Sequence, residues 1–435
     1  MAASIPGIVW PPVGSPTPAG ALALADELER TQWISPSELA ERQHEQLAAI
    51  LAHAATTVPH YAGIDPRHFA RAPIMTRAQI IAAGDRLLSR AYPALHGPTQ
   101  ELSTSRTSGE PVRVRASAVV TTLQAAITLR DHRWHRRDLH ASLASLRYAP
   151  NAPGPDGVVG RGWGPVTMQL APDAPAYLLS IIGTTTDEQL AWLARINPTY
   201  FLTYPSVLHA LLRRISATNT CIPGLREVRT VGEALTPGTR GLCRDVLDVP
   251  IVDTYSAQEV GYIALQCPTS EHYHVQAERH LVEILRDDGT ACAPGELGRV
   301  VITDLHNFAT PVLRYDIGDL AEVAPACPCG RGLPTLARIV GRVRNMLLRR
   351  DGSTTYPVFT VACREAARYR DIQLVQLTRD TLRARVVPEG ELDEAALIAA
   401  LHRTLGHHLE VEIERVDEIA RTAGGKLEEF VCLAT

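Results

Sequence analysis

The chain has 435 residues, 45% of them hydrophobic and 21% charged, and a net charge of −4 at pH 7. This length predicts two or three domains, and the composition excludes a disordered chain, a collagen-like chain and a small disulfide scaffold. The sequence has no basic excess, no apolar run of about 18 residues and no signal-peptide pattern, so we expect a cytoplasmic protein without a nucleic-acid or membrane partner.

The first third of the chain predicts three helices. Ser35 or Ser37 can cap a helix over residues 36–56, because a serine hydroxyl accepts a hydrogen bond from the first helical turn. A second helix is expected to start near Thr76, and a third is expected over residues 117–139.

Short apolar runs alternate with helical segments between residues 145 and 260. Such alternation predicts an α/β domain with a largely parallel sheet. The expected strands are Ala176–Ile182, Tyr200–Thr203, Glu227–Val231 and Pro250–Thr254. The expected helices between them are Asp187–Ile196, Ser206–Ala217 and Thr236–Leu247.

The pattern changes after residue 272, where strands follow one another and indicate a smaller β-rich unit. These strands are expected at His280–Leu285, Gly298–Thr303 and Leu320–Val323. The last 90 or so residues predict a strand pair, a helix and a further strand, at Ile372–Thr378, Thr381–Val387, Glu391–Gly406 and Leu409–Val416. The predicted fold class is therefore α/β, with mixed sheets and a β-rich subdomain in a large N-terminal domain and a small α+β C-terminal domain.

Five short polar segments carry residue types that suit a nucleotide site. The hydroxyl-rich loop Thr104–Pro111 can offer N–H and hydroxyl groups to phosphate oxygens. Glu259 follows an apolar strand, where a carboxylate can hold Mg²⁺, although a helix-capping glutamate has the same pattern. Asp316 and Asp319 can bind ribose hydroxyls or close a turn. The last two segments are Gly341–Met346 and Arg421–Lys426.

In their order and spacing these five segments resemble the adenylate-forming enzymes. Residues 46–61 and 72–77 resemble the phenylacetate–CoA ligase branch of that superfamily. The resemblance implies ATP-dependent activation of a carboxylic acid as an acyl adenylate, followed by transfer to the thiol of CoA. Because this branch favours aryl and arylacetic acids, we expect an aromatic acid.

The resemblance also divides the chain. It implies a large domain over residues 1–340 that binds ATP and the acid, a hinge at residues 341–345, and a small mobile domain over residues 346–435. The small domain would carry Lys426 and rotate between the two steps of the reaction.

The family's roles carry over to single residues. Lys426 would bridge the carboxylate of the acid and the α-phosphate, and Glu259 would hold Mg²⁺. Asp319 would accept hydrogen bonds from the ribose, and Tyr255 would lie near the adenine. The resemblance further assigns phosphate contacts to Ser105, Thr107, Ser108 and Gly109, adenine contacts to Gly232, Glu233 and Ala234, and a ribose–phosphate contact to Arg342.

Four positions depart from the family pattern. Arg106 stands where glycine is usual, Glu110 where lysine is frequent, and Arg344 and Asn345 where two aspartates are common. Two alternatives therefore stay open: adenylation followed by transfer to an amine or a carrier-protein thiol in secondary metabolism, and a non-catalytic nucleotide-binding relative. The identity of the acid and the oligomeric state, for which a homodimer is one alternative, do not follow from the sequence.

A metal site is expected apart from these motifs. Thiolates with one imidazole are the ligand set of a structural zinc site, although unrelated free thiols would give the same residues. His272 or His280 could replace the histidine of the set. The expected ligands are Cys267, His274, Cys327 and Cys329.

A basic stretch covers Arg130–His140 and contains four arginines and three histidines. We expect a solvated helix face there, with a partner surface for CoA phosphates or a carrier protein as the alternative.

Overall fold

Most of the strands join a single mixed sheet in the computed structural model. The structure describes residues 5–103, 111–152, 154–342, 347–352, 354–355, 357, 359, 362–363, 366–406, 408–420, 427 and 429–434. Within these residues the large sheet has twelve strands, and a separate sheet near the C-terminus has four.

The elements are numbered in chain order. The α-helices are α1 Pro18–Thr31, α2 Pro36–Thr57, α3 Arg77–Ala83, α4 Ala118–Trp134, α5 Thr186–Ile196, α6 Pro205–Thr218, α7 Pro237–Leu247 and α8 Glu394–Leu405. The strands are β1 Thr99–Ser103, β2 Arg113–Ser117, β3 Leu143–Arg147, β4 Val158–Arg161, β5 Pro175–Ser180, β6 Tyr200–Thr203, β7 Glu227–Val231, β8 Ile251–Ala257, β9 Gly261–Gln266, β10 Tyr273–Val275, β11 His280–Leu285, β12 Leu297–Asp304, β13 Tyr315–Val323, β14 Thr335–Arg342, β15 Leu347–Leu348, β16 Thr354–Thr355, β17 Tyr369–Gln376, β18 Thr381–Pro388, β19 Glu410–Arg415 and β20 Phe430–Cys432. Short 3₁₀ helices lie at Pro59–Tyr61, Pro66–Arg71, Gly84–Leu87, Ala94–His96 and Thr167–Gln169.

The parallel half of the large sheet confirms the predicted strand–helix alternation. Strands β5, β3, β6, β7 and β8 pair in parallel in that order. Helices α5, α6 and α7 pack on them around a hydrophobic core that includes Trp192, Phe201 and Leu211. The carboxyl ends of β7 and β8 therefore share one edge of the sheet, which is where α/β sheets bind ligands.

The predicted β-rich unit has no sheet of its own. Its strands continue the parallel half in antiparallel fashion, through β9, β10, β14, β13, β12 and β11. Helices α1, α2 and α4 cover this half and form a second hydrophobic core with it. The unit is thus an extension of the α/β sheet, and β13 and β8 are parts of one framework.

Helix α4 ends earlier than predicted. It stops at Trp134, and Arg136 adopts a φ of 49°, in the left-handed region that side chains rarely enter. The basic stretch is also not one solvated face. Arg130 and Arg137 are buried, and Arg137 forms ion pairs with Asp131 at 2.5 Å and with Glu227 of β7 at 2.6 Å. The buried pairs attach the end of α4 to the sheet.

The C-terminal sheet has the order β19-β18-β17-β20 and its own hydrophobic core with α8. The predicted hairpin is confirmed as the antiparallel pair β17–β18, and the last predicted strand as β19, which lies parallel to β18. The boundaries of the large domain, the hinge and the small domain stay a prediction. None of the helices within the described part of the chain is long and apolar enough to cross a membrane.

Candidate active site

Two residues predicted to bind the nucleoside are in direct contact. Tyr255 lies in β8, and its hydroxyl donates a hydrogen bond of 2.8 Å to Oδ2 of Asp319 in β13. Tyr255 is buried and Asp319 is half-buried. Arg342 is the register partner of Asp319 across the β13–β14 ladder. The sheet thus brings three predicted nucleotide residues from distant parts of the chain to one place.

Glu259 lies in the tight turn between β8 and β9. The interpretation of this residue as a helix cap is therefore wrong, since a hairpin follows β8 and not a helix. Its buried carboxylate accepts hydrogen bonds from Arg77 and from the hydroxyl of Tyr315, both at 3.4 Å. Arg77 begins α3, and no role in the site could be predicted for it from the sequence. Carboxylate oxygens are among the ligands that Mg²⁺ takes in proteins.

A side chain of α4, Gln124, contacts the backbone beside the β8–β9 turn. Oε1 of Gln124 accepts hydrogen bonds from the Tyr262 backbone N–H at 3.2 Å and from Arg279 at 2.6 Å. Gly261 has a φ of 77°, and a side chain there would collide with the same amide oxygen. Gln124 therefore fixes the backbone next to Glu259, a role that periodicity in the sequence could not reveal.

The predicted adenine segment follows the end of β7. Glu233 accepts hydrogen bonds from the backbone N–H of Ser206 at 2.9 Å and from its hydroxyl at 3.1 Å. These bonds place the carboxylate at the N-terminus of α6, where the helix dipole favours negative charge. Ala234 lies beside Gly341, since a Cβ built on Gly341 would be 3.5 Å from the Cβ of Ala234. The adenine segment and the start of the predicted hinge are therefore neighbours.

Several predicted residues lie outside the described part of the chain. They are Ser105, Thr107, Ser108, Gly109 and Lys426, together with Arg106, Glu110, Arg344 and Asn345. Their assigned roles stay predictions.

The four predicted metal ligands converge at the opposite end of β9. The ligand atoms of Cys267, His274, Cys327 and Cys329 all lie within 4.8 Å of one another. Cys329 Sγ lies 3.3 Å from His274 Nε2, and Cys267 Sγ lies 3.7 Å from Cys327 Sγ. Neither His272 nor His280 belongs to this set. The cluster joins the β9–β10 turn to the loop between β13 and β14.

The surroundings favour the ligating form of two of these side chains. Burial disfavours the Cys267 thiolate, but hydrogen bonds from Thr269, Ser270 and Cys327 outweigh it and lower the pKa of this thiol to about 7. Burial and the charge of Arg331 lower the pKa of His274 to about 4, which keeps the imidazole neutral. Metal binding requires the deprotonated thiol and the neutral imidazole. Three thiols and one imidazole suit a tetrahedral zinc ion better than Mg²⁺ or Ca²⁺.

The chain is similar in sequence to phenylacetate–coenzyme A ligases. It is 24% identical over 351 residues to the enzyme from Escherichia coli (strain K12), and the aligned region covers 76% of this chain and 77% of that protein. It is 25% identical over 377 residues to the enzyme from Thermus thermophilus, and the aligned region covers 82% of this chain and 80% of that protein. No protein-family model matches the chain.

The fold is also found in solved structures. The 2-hydroxyisobutyryl-CoA ligase in the postadenylation state, in complex with 2-HIB-AMP, superposes with a TM-score of 0.71 at 18% identity and covers 93% of this chain and 91% of its own. The amide bond synthetase McbA from Marinactinospora thermotolerans superposes with a TM-score of 0.51 at 17% identity and covers 73% of this chain and 66% of its own. The predicted fold class is confirmed by these likenesses.

Proposed function

We propose that this chain, an AMP-forming acid–thiol ligase related to the phenylacetate–CoA ligases, acts on an aromatic carboxylic acid. The observation that carries the proposal is the meeting of Tyr255, Asp319 and the Glu259 turn at the carboxyl edge of the sheet, in a chain similar to phenylacetate ligases over 76% of its length. We further propose that the acyl group passes from the adenylate to CoA.

The nucleotide is the substrate that the described residues explain best. Asp319, oriented by the Tyr255 hydroxyl, would accept hydrogen bonds from the two ribose hydroxyls. The segment Gly232–Ala234 would lie against the adenine. Glu259 would hold Mg²⁺, which when bound offsets the charge of the phosphates. Arg77, which contacts Glu259 at 3.4 Å, would then lie close enough to face phosphate oxygens.

Lys426 is the proposed catalytic cation. It is the only lysine of the chain, since every other basic side chain apart from histidine is an arginine. An ammonium group is a compact point charge that can contact the carboxylate of the acid and the α-phosphate together. Its charge would stabilise the transition state as the acid attacks the α-phosphorus and pyrophosphate leaves.

We also propose zinc as the metal of the Cys/His cluster, with a structural role. The cluster joins the segments that follow the C-terminal ends of β9 and β13. Strand β9 begins next to the Glu259 turn, and β13 carries Asp319. A catalytic zinc ion usually has three protein ligands and a water molecule, whereas a structural zinc ion has four protein ligands. The four described side chains of the cluster therefore support a role in fold stabilisation.

The proposal is tested by measuring pyrophosphate release with benzoic, hydroxybenzoic, aminobenzoic, phenylacetic and fatty acids, each with and without CoA. We expect release with an aryl acid, a further rise with CoA, and a loss of about 10²- to 10³-fold in Lys426→Ala. Lys426→Arg keeps a positive charge and serves as the matched variant. Because no other lysine exists, acetylation with an N-hydroxysuccinimide ester should inactivate wild type and leave the residual activity of Lys426→Arg unchanged.

Other outcomes assign other functions. Release with an aryl acid that rises with an amine and not with CoA would favour amide formation, the activity named for the fold neighbour McbA. Release that occurs only with fatty acids would refute the aromatic assignment. Binding of ATP without release for any acid in the panel would favour the non-catalytic relative.

A further inference from the structure

A cavity opens at the edge of the large sheet opposite the candidate active site. It has a volume of about 920 Å³ and is lined by the first residues of β7 and β8, Glu227 and Ile251, and by the end of α4. Strand β8 runs from this cavity to the Glu259 turn, and a strand of seven residues spans about 20 Å. The cavity is therefore distinct from the predicted nucleotide site.

Arg331 is held in this cavity by two aromatic rings. Its guanidinium carbon lies 4.8 Å from the ring centre of Trp33 and 4.4 Å from that of Trp134. Its Nε donates a hydrogen bond of 2.7 Å to Gln32 Oε1, which also accepts from the indole N–H of Trp134 at 2.7 Å. Its two terminal nitrogens make no hydrogen bond to any described residue. These contacts orient the side chain and leave its two terminal nitrogens without a hydrogen-bond partner in the described part of the chain.

A second arginine, without a side-chain partner among the described residues, lines the same cavity. Arg136 lines the cavity, is exposed, and makes no side-chain hydrogen bond or ion pair with a described residue. Its φ of 49° is an uncommon conformation that costs free energy, and it turns the chain at the cavity wall.

Two other charged side chains of the cavity wall pair with residues outside the cavity. Arg133 pairs with Asp26 at 2.8 Å, and Glu227 pairs with the buried Arg137 at 2.6 Å. Glu29 is the exception, and it accepts a hydrogen bond from Gln32 at 3.0 Å. Cys267 and Cys329 of the Cys/His cluster also line the cavity, so its wall carries two guanidinium groups, one carboxylate and two of the proposed metal ligands.

These features specify a ligand. Guanidinium forks bind phosphate in a bidentate manner, and the exposed face of Trp33, which is 52% exposed, can stack a planar ring. The volume lies within the range of small-molecule sites. We propose that this cavity binds a phosphorylated small molecule of nucleotide size through Arg331, Arg136 and Trp33. This site goes beyond the proposed ligase reaction and does not depend on it.

The test uses ADP as the probe, in buffer without Mg²⁺, with protein purified without chelator. Binding is followed by calorimetry and by tryptophan fluorescence. We expect ADP to bind more tightly than pyrophosphate or adenosine, and Arg331→Gln and Arg136→Gln each to weaken it at least about tenfold. Asp319→Asn, in the candidate active site, should weaken ADP binding at that site and change the affinity of the proposed second site less than about twofold. Arg161→Gln removes an exposed arginine in β4 and controls for the loss of charge.

Arg136→Gln is decisive if Arg331→Gln fails to fold, because the Arg136 side chain is exposed and contacts no described partner. Unchanged ADP affinity in Arg136→Gln, or no ADP binding at all, would overturn the proposal. Loss of binding in Asp319→Asn would assign the ADP to the candidate active site and also overturn it. Adenosine binding as tightly as ADP would also overturn the proposal. The same holds if ADP binding disappears when the metal is removed while both arginine variants still bind ADP.

Discussion

A hydrogen bond of 2.8 Å joins the Tyr255 hydroxyl to Asp319, the residue proposed to bind the ribose. Asp319→Asn keeps the shape of the side chain and removes its charge. We expect KM for ATP to rise about ten- to a hundredfold, because hydrogen bonds to charged groups contribute about 1.5–3 kcal/mol. Tyr255→Phe keeps the carboxylate and removes one donor, so we expect a rise of about three- to tenfold. Pyrophosphate release at varied ATP concentration measures both.

Tyr273 offers a matched control for this prediction. Its hydroxyl donates an equally short hydrogen bond, also of 2.8 Å, to the buried carboxylate of Asp253 in the same sheet. Tyr273→Phe should lower the free energy of unfolding by about 1–2 kcal/mol and leave KM for ATP unchanged. An Asp319→Asn protein with the wild-type KM for ATP would refute the nucleotide assignment.

The Cys/His cluster acts on whole elements, since it joins the β9–β10 turn to the β13–β14 loop. Removing the metal with a chelator, or replacing a ligand in Cys329→Ser, should lower the free energy of unfolding by at least about 3 kcal/mol, because metal binding contributes to folding. Pyrophosphate release should fall with it, since β13 carries Asp319. Cys221→Ser, at an exposed cysteine outside the cluster, is the control. Fewer than about 0.3 equivalents of zinc in protein purified without chelator would contradict the site.

Elements with strong local signals could be predicted from the sequence. Helix α2 was expected over residues 36–56 and is observed at Pro36–Thr57, because Ser35 accepts a hydrogen bond from the N–H of Glu38 and fixes its start. The hairpin β17–β18 was equally clear from alternation and turn residues. The end of α4 was not, because buried ion pairs with β7 decide it and they depend on tertiary structure.

The candidate site shows the same division. Tyr255, Glu259 and Asp319 could be found from motif order, and so could the four metal ligands from their residue types. Arg77 and Gln124 could not, since each acts through a contact with a residue more than a hundred positions away. No period or spacing in a single sequence records such contacts. Continuity of the large sheet was missed for the same reason, because the pairing of β9 with β10 and of β10 with β14 is set by packing.

Over the whole molecule, several histidines are buried in the neutral form. Burial is the largest cause of their low pKa values, which are about 4 for His135, about 3 for His280 and about 4 for His306. In the unfolded chain these groups titrate near 6.5. Below pH 6.5 the unfolded chain therefore binds protons that the folded chain does not, until the pH approaches 4.

The folded state should accordingly lose stability as the pH falls from 6.5 towards 4, and its stability from these groups is complete above pH 6.5. Each histidine contributes up to about 1.4 kcal/mol per pH unit in that window. Urea unfolding at pH 7.5, 6 and 5 measures the slope. His306→Gln should reduce the slope, whereas His140→Asn, at an exposed position, should leave it unchanged. Equal unfolding free energies at pH 7.5 and pH 5 would contradict the prediction, because three neutral buried imidazoles require the difference.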